Sequence, residues 1–212
     1  MKKLILSASA VLFGLGVFAQ TPLGYGIKAG VNLPNYSFSN DNNDFDTKSS
    51  TNFHITGYLD APITSNFYIQ PGISLQGKGA KFAEGEFFGD DYQITQNTMW
   101  LEIPVNAVAK FHTGNAGNFY IGAGPYAAFG LSGKNKVTSG GDSNDLGDFK
   151  FGKDEDQKSF DAGINFLAGY QLSSGLTIGA GYGLGLSDIS PDGSGSYKQN
   201  NRVLSFSVGF AL

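Results

Sequence analysis

The strongest constraint on the fold is a two-residue period in the apolar side chains, which recurs along almost the whole chain. In the segment "LTIGAGYGLGL", residues 176–186, every second position is apolar: Leu176, Ile178, Ala180, Tyr182, Leu184 and Leu186. The positions between them are one threonine and four glycines. An α-helix would scatter these residues around its axis, whereas a β-strand places alternate side chains on opposite faces. The chain is therefore predicted to be built from strands.

Eight segments have this period, and we predict strands at residues 23–38, 52–63, 67–82, 92–112, 118–134, 158–172, 175–188 and 200–212. Three connections between them are short, and four, at about 39–51, 83–91, 135–157 and 189–199, are long and polar. Short and long connections alternate strictly. Alternate connections of an up-and-down meander lie at the same end, so this order predicts tight turns at one end and long loops at the other, as in an outer-membrane barrel.

The outward faces decide between a barrel in lipid and a β-sandwich in water. A secreted sandwich needs polar outward faces, but one face of each predicted strand here is largely apolar. The last strand has Leu204, Phe206, Val208, Phe210 and Leu212 on that face. Lipid offers no partner to an unpaired backbone group, so a sheet in lipid must close. We predict an all-β fold, an eight-stranded antiparallel up-and-down transmembrane β-barrel with short periplasmic turns and long extracellular loops.

The N-terminal segment has the pattern of a secretory signal peptide. Lys2 and Lys3 precede an apolar run, and cleavage is expected after Ala19. An N-terminal membrane helix is the alternative, but the run is short and lacks the flanks of an anchor. We predict a signal peptide at residues 1–19 and a barrel domain at residues 20–212, so that the protein crosses the inner membrane and resides in the cell outer membrane.

The composition excludes several classes of protein. The chain has no cysteine, so it has neither disulfides nor a cysteine metal site. Its formal net charge of −4 becomes more negative once Lys2 and Lys3 are removed, which argues against nucleic-acid binding. The 31 glycines lack the period of collagen, and 18 phenylalanines and 10 tyrosines are too many aromatics for a disordered chain.

The segment "WLEIPVNAVAKF", residues 100–111, places Glu102 inside an otherwise apolar run. Alternation turns Leu101 and Ile103 to lipid and Glu102 to the lumen. The same parity predicts a structural network of charged lumen residues: Lys28, Asp60, Lys78, Glu102, Lys110 and Asp161. Buried charges must pair, and similar depth predicts the pairs Lys28 with Asp60 and Lys78 with Glu102. Because eight strands enclose a space that side chains can fill, we predict a polar plug.

Two details refine this barrel. Proline cannot donate to a ladder, so bulges or ladder breaks are expected at Pro71, Pro104 and Pro125. The third predicted strand carries bulky lumen residues and the seventh carries glycines. We therefore predict that the large side chains of the third strand pack against the small residues of the seventh.

No motif indicates catalysis, a metal or a cofactor. The glycines of "GAGYGLG" fail the dinucleotide fingerprint. A hydrolase built on His54 and Asp60 is an alternative, but His112 is expected far away at the periplasmic rim. The segment "GDSNDLGDFKFGKDED", residues 141–156, fails the calcium-loop pattern, since Lys153 stands where a bidentate glutamate belongs. We expect a solvated acidic loop, with weak divalent-ion binding as the alternative, and we expect no enzyme activity.

The chain resembles the PorT-like outer-membrane β-barrel family of Bacteroidota over essentially all of its mature length. The matching segments are "GIKAGVNL" at 26–33, "YIQPGISLQGKGAKF" at 68–82, "WLEIPVNAVAKF" at 100–111 and the closing "SFSVGFAL". The element "LEIP" is the most specific, whereas Val105, Asn106 and Ala107 depart from the bulkier residues usual there. The resemblance implies an eight-stranded barrel without cofactor or catalytic residues. Some relatives are linked to a protein secretion system.

Three functional hypotheses follow. The first is a non-enzymatic barrel with a plugged lumen, whose acidic outer loops bind a partner or stabilise the envelope. The second is a narrow pore for small solutes or ions, or, as the resemblance implies, an accessory component of protein secretion. The third is an outer-membrane enzyme, which the lack of a convergent site disfavours. The expected partners are outer-membrane lipid, the barrel assembly machinery and a protein at the extracellular loops. A monomer is expected.

Overall fold

A computed structural model describes residues 23–40, 44–87, 90–139, 142–192 and 197–212, without the side chains of 83–87, 90–91, 142 and 148. The predicted signal peptide, residues 1–19, lies outside these ranges. The strands are β1 Gly24–Ser39, β2 Asp44–Asp46, β3 Asn52–Pro62, β4 Phe67–Phe87, β5 Asp90–His112, β6 Gly117–Ser139, β7 Asp142–Phe149, β8 Phe160–Leu172, β9 Leu176–Gly185 and β10 Lys198–Ala211.

Eight of the described strands close into a ring of antiparallel neighbours. The order is β1, β3, β4, β5, β6, β8, β9 and β10, and β10 pairs with β1 from Gly26–Ala211 to Ser39–Lys198. The short strands β2 and β7 lie outside the ring, where they extend β1 and β6. Each ring strand pairs with its neighbours along the chain, which confirms the predicted up-and-down meander.

The two ends of the ring differ as the connection lengths predict. Residues 63–66, 113–116 and 173–175 form short turns at one end, which we call the short-turn end. Residues 25 and 212 meet there as well, since the Tyr25 N–H donates to the Leu212 carbonyl at 3.0 Å. The other, loop end carries the long connections.

The outer wall of the ring is an apolar band. Side chains that point outward are exposed although they are large and apolar, with 64% of the Ile73 surface and 57% of the Ile178 surface accessible. So wide an apolar surface belongs in lipid. Among the described residues, no helix is long and apolar enough to cross a membrane.

The loop end is more regular than the sequence suggests. Residues 83–91 and 135–157 were expected to be loops, but β4, β5 and β6 continue through much of them and β7 pairs with β6. We call this four-stranded extension, residues 79–87, 90–98, 133–139 and 142–149, the projecting sheet. The prediction of loops was wrong because a strand that leaves lipid has water on both faces, so its apolar alternation fades while its pairing continues.

Three prolines interrupt the ladders without shifting the register. The β3–β4, β4–β5 and β5–β6 ladders each lack pairs beside one of Pro71, Pro104 and Pro125. The ladder breaks are therefore confirmed, while bulges at these prolines are not found. The register shifts instead between Lys81 and Ala83 and at Met99 and Trp100, where the projecting sheet begins.

Candidate functional site

The upper part of the lumen, towards the loop end, holds a buried ion-paired lysine. Lys78 Nζ lies 2.9 Å from Asp161 Oδ2 and 3.2 Å from Glu102 Oε2. The ammonium also lies over the rings of Tyr126, at 4.5 Å from the centroid, and Trp100, at 5.5 Å. The sequence predicted the pair Lys78–Glu102, but it gave no indication that Asp161 joins it. We call this group the upper charge layer.

The carboxylates of the upper charge layer are saturated with donors. Asp161 Oδ2 accepts from the Asn201 amide at 2.8 Å and the Tyr126 hydroxyl at 3.1 Å, and Oδ1 accepts from the Ser187 hydroxyl at 2.9 Å. The Asn165 amide donates to Glu102 Oε1 at 3.0 Å. Buried charges persist only when their remaining lone pairs are satisfied, so these neutral residues belong to the layer. The two-residue period of the last strand places Asn201 on the lumen face, so the sequence could have identified it. Ser187 lies beyond the end of β9, where this period gives no indication.

A second charge layer lies nearer the short-turn end. Lys110 Nζ forms a buried ion pair with Asp60 Oδ2 and donates to Gln171 Oε1 at 3.1 Å. The Gln70 amide donates to Asp60 Oδ1 at 3.0 Å, and Lys110 Nζ lies 4.2 Å from the centroid of the Tyr68 ring. We call this group the lower charge layer. Its one lysine and one carboxylate are balanced.

The predicted pair of Lys28 with Asp60 was wrong. The register aligns Lys28 with Thr56 and aligns Asp60 with Gly24, so the two charges differ in depth by four positions on the strand. The prediction counted residues from the turns and therefore missed the stagger that closes a barrel. Asp60 pairs with Lys110 instead, and Lys28 Nζ lies 6.0 Å from the centroid of the Tyr58 ring.

His54 belongs to a directed hydrogen-bond chain. The Asn32 amide nitrogen donates to Gln76 Oε1 at 2.8 Å and to the Gly77 carbonyl at 2.9 Å, so Asn32 Oδ1 is the acceptor for His54 Nδ1 at 2.7 Å. His54 Nδ1 therefore carries a proton, and a neutral ring leaves Nε2 as an acceptor. Since His54 is engaged with Asn32 and Asp60 with Lys110, the two are not arranged as a catalytic pair. His112 is exposed at the short-turn end.

A cavity of about 70 Å³ lies between the two charge layers. Its lining includes polar groups of Lys28, His54, Asn106, Ser205 and Ser207 and the glycine side of β9. Several water molecules fit in this volume. We call it the lumen chamber.

The glycines of β9 make room for a tyrosine of β6, not for the strand that the sequence indicated. A Cβ atom at Gly179 of β9, or at Gly169 of the neighbouring β8, would overlap the hydroxyl of Tyr120. Large and small residues are therefore matched inside the lumen, as a narrow barrel requires. The bulky β4 residues predicted to face β9 contact other partners: Gln76 contacts Asn32, and Lys78 contacts Asp161.

Two outer segments close the lumen at the loop end, and we call residues 149–159 and 186–192 the outer cap. The Phe151 ring packs 4.9 Å from that of Trp100, and an added Cβ at Gly130 would lie 2.6 Å from Phe151. Ile189 is fully buried in the same apolar cluster. The acidic loop was expected to be solvated, which holds for the exposed residues 154–156 but not for its aromatic residues.

Polar contacts hold the two segments of the outer cap together. The Lys158 N–H donates to the Ile189 carbonyl at 3.0 Å, and Lys158 Nζ lies 3.1 Å from Asp192 Oδ1. Burial alone would raise the pKa of the Asp188 carboxyl. Hydrogen bonds from Gln199 and Ser190 and the charge of Lys158 outweigh burial and hold this pKa below its usual range.

The described residues hold no cluster of three or more His, Asp or Glu side chains that would bind a metal ion. The partial calcium-loop pattern lies in β7, whose backbone pairs with β6 from Ser139–Asp142 to Gly133–Phe149. An extended strand cannot wrap its oxygens around one ion, as a calcium loop does.

A closed ring of eight antiparallel strands, apolar outside and charged inside, defines an integral outer-membrane β-barrel. The chain belongs to the family of the outer membrane protein beta-barrel domain, which matches residues 18–190. This membership supports an outer-membrane location.

Solved barrels that are similar to this chain share little sequence with it. The attachment invasion locus protein Ail of Yersinia pestis is 15% identical, with 90% of this chain and 100% of that chain covered and a TM-score of 0.40. Neisserial surface protein A is 14% identical, with coverages of 89% and 96% and a TM-score of 0.42. The N-terminal barrel domain of Pseudomonas aeruginosa OprF is 11% identical, with coverages of 86% and 97% and a TM-score of 0.36. No curated protein matches the chain.

Proposed function

We propose that this protein is a non-enzymatic outer-membrane barrel that uses its loop end to bind a partner or to stabilise the envelope. The observation that carries the proposal is the projecting sheet. Its strands β5 and β6 have 23 residues each, about twice the 9–11 residues that span a bilayer. The sheet therefore extends well beyond the lipid as a paired structure, and a paired surface is ordered before a partner arrives.

The edges of the projecting sheet support a monomer with a specific partner. A free strand edge invites pairing with other chains unless charged residues guard it. Strand β7 forms one edge, and its exposed Asp145 lies 3.7 Å from the exposed Lys134 of β6. Charged residues of this kind disfavour pairing between two copies. The outer segment 141–156 is acidic in sequence, which favours a basic protein surface as the partner.

The experiment is a complementation test with a trimmed barrel. A variant in which a two-residue turn replaces residues 83–94 retains the ring and loses the tip of the projecting sheet. We expect that this variant inserts into the outer membrane but fails to restore detergent resistance to a deletion strain. Full restoration by the trimmed barrel would contradict the proposal. Removal of residues 44–46, the short strand β2 at the loop end but outside the projecting sheet, is the control for the effect of shortening alone.

A narrow pore is the second candidate, and the lumen chamber is the observation in its favour. The two charge layers and the outer cap argue against it, since each crosses the lumen. Single-channel recording of the refolded protein in a planar lipid bilayer separates the two functions. A silent, correctly inserted barrel is expected, whereas discrete and reproducible openings would establish a pore.

The resemblance to PorT-like barrels of Bacteroidota supports a third proposal, an accessory role in protein secretion. Deletion of the gene should then lower the amount of exported protein in the culture medium, and an unchanged secretome would refute this role. The proposed route begins with a signal peptide, so the N-terminus of the mature protein should be Gln20. Lipid and the barrel assembly machinery are its proposed partners during insertion.

A further inference from the structure

A polar patch interrupts the apolar outer wall where β1 and β10 approach the loop end. The apolar outward residues of these two strands end with the opposed pair Leu33 and Leu204, and the next opposed outward pair is Asn35 and Arg202. Polar residues continue in the two outward rows beyond. We call these six residues the seam patch: Asn35, Ser37, Ser39, Lys198, Asn200 and Arg202.

The seam patch lies at the border of the lipid. Leu184 of β9 lies directly opposite Arg202, and Leu186 beyond it is 60% exposed. Arg202 therefore has the apolar wall both below it and beside it, and its side chain is long enough to extend to the level of the lipid headgroups. Because the loop end is the expected extracellular end, this border belongs to the outer leaflet.

The protein satisfies the Arg202 guanidinium only in part. Its Nη1 donates to the Gly185 carbonyl at 2.7 Å and to the Asn201 carbonyl at 3.0 Å. Among the described residues, Nη2 and Nε have no acceptor, and no carboxylate lies within ion-pair distance of Arg202 or Lys198. A cation at the border of lipid is costly unless an anion accompanies it. The protein supplies no such anion, so the lipid must.

The acidic residues around the seam patch do not neutralise its cations. Asp188 Oδ2 lies 4.0 Å from Lys158 Nζ in the outer cap, and its Oδ1 accepts hydrogen bonds from neighbouring residues. Asp44 and Asp46 of β2 lie on the side of β1 away from β10. Negative charge therefore borders the patch on its β2 side, while both cations lie on β10.

We propose that the seam patch binds the phosphate group of an outer-leaflet lipid. Asn200 lies between Arg202 and Lys198 on the same face, about 7 Å from each along the strand, and both long side chains can reach a phosphate above it. The guanidinium offers phosphate oxygens a planar fork, and the ammonium adds a second positive charge. The acyl chains of the same lipid lie along the apolar wall below. Clustered basic residues at a membrane surface select anionic lipids in this way.

The first test measures lipid retention by native mass spectrometry of the refolded wild-type barrel in detergent. The probes are monophosphoryl lipid A and the same lipid without its phosphate. We expect the phosphorylated form to bind about tenfold more tightly, the ratio expected of one charge-assisted hydrogen bond. Equal retention of the two forms would overturn the proposal, since binding would then depend on the acyl chains alone.

Inorganic phosphate distinguishes a lipid site from a site for a soluble anion. A ligand that binds the folded state raises the midpoint of unfolding as its concentration rises. We expect monophosphoryl lipid A to raise this midpoint and inorganic phosphate alone to leave it unchanged. An equal rise with both would assign the patch to a soluble anion and contradict the proposal.

Variants test whether the phosphorylated lipid binds at the seam patch. Arg202→Gln and Lys198→Gln should each weaken its retention about tenfold. Lys136→Gln removes the same charge at an exposed position of β6 and should not weaken it. Lys198 is exposed, so Lys198→Gln remains informative even if Arg202→Gln does not fold. An equal loss in Lys136→Gln would show attraction by net charge alone and would refute the site.

Discussion

Lys78 and Asp161 are 83 residues apart in the chain, yet their side chains meet at 2.9 Å across the lumen. The contact joins β4 to β8, which are not neighbours in the ring. It therefore couples two parts of the wall that share no backbone hydrogen bonds. Both side chains are almost fully buried, with 2% and 0% of their surfaces exposed.

Removing the charge of Asp161 should destabilise the barrel more than removing that of Glu102. Asp161→Asn leaves Lys78 with one carboxylate and disturbs three further donors, so we expect a loss of about 3 to 5 kcal/mol. Glu102→Gln leaves the shorter ion pair intact, and we expect a loss of about 1 to 3 kcal/mol. Urea unfolding in detergent measures both values. Equal losses would show that the two carboxylates share Lys78 evenly.

Docking of the outer cap depends on two glycines that leave space for phenylalanine rings: Gly130 for Phe151 and Gly133 for Phe149. A Cβ at Gly133 would overlap the Phe149 ring, so Gly133→Val should release this part of the cap. Trypsin should then cleave at the exposed residues Lys150 and Lys153 at least about tenfold faster, since one factor of ten corresponds to only 1.4 kcal/mol. Gly57→Val is the matched control, because nothing lies within 4 Å of a Cβ at Gly57. Equal cleavage of the two variants would contradict the role of the glycine.

Acid should loosen the outer cap through Asp188. The pKa of this carboxyl is lower in the folded protein than in the unfolded chain. Its contribution to stability is therefore present above the unfolded value of about 3.9 and is lost as the pH falls through the lower, folded pKa. Trp100 is the single tryptophan and contacts Phe151 of the cap, so its fluorescence reports opening. The acid transition should weaken in Asp188→Asn, and an identical transition in both proteins would exclude Asp188 as its cause.

The proline breaks should be visible as fast hydrogen exchange. Pairs are missing beside Pro104 and Pro125, and the nearby Asn106 lines the lumen chamber. We expect the amides of Ile103, Val105 and Asn106 to exchange faster than those of residues 107–110, which lie in an unbroken part of the ladder. Mass spectrometry of the protein in detergent measures this difference. Uniform protection along β5 would mean that the backbone groups are paired despite the breaks.

Alternation in the sequence predicted the wall and the lumen because it is a local signal. The alternation predicted that Glu102 and Lys78 face the lumen, and in the structure the two residues meet from neighbouring strands, as expected. It failed for Lys28, whose partner depends on the stagger between β1 and β3, a property of the closed ring and not of either strand. Asp161 was placed inside correctly, but its contact with Lys78 crosses the lumen, and no local pattern encodes a distance across a barrel.

The outer cap and the projecting sheet were missed for different reasons. Phe151 lies in an acidic segment, where composition indicates a solvated loop, and its docking depends on the space above Gly130 in another strand. The projecting sheet has no apolar face for most of its length, so only the pairing of its backbone distinguishes it from a loop.

The closing strand β10 does more than complete the wall, because it also supplies the amide of Asn201 to Asp161. A barrel in which β10 has not yet paired has unpaired edges along β1 and β9. In addition, its Asp161 carboxylate lacks one of its hydrogen-bond donors. Assembly is thus all-or-none with respect to the fourteen residues of β10, Lys198–Ala211. Without β10 the backbone groups along β1 and β9 would face lipid unpaired, so the bilayer itself admits only the closed barrel.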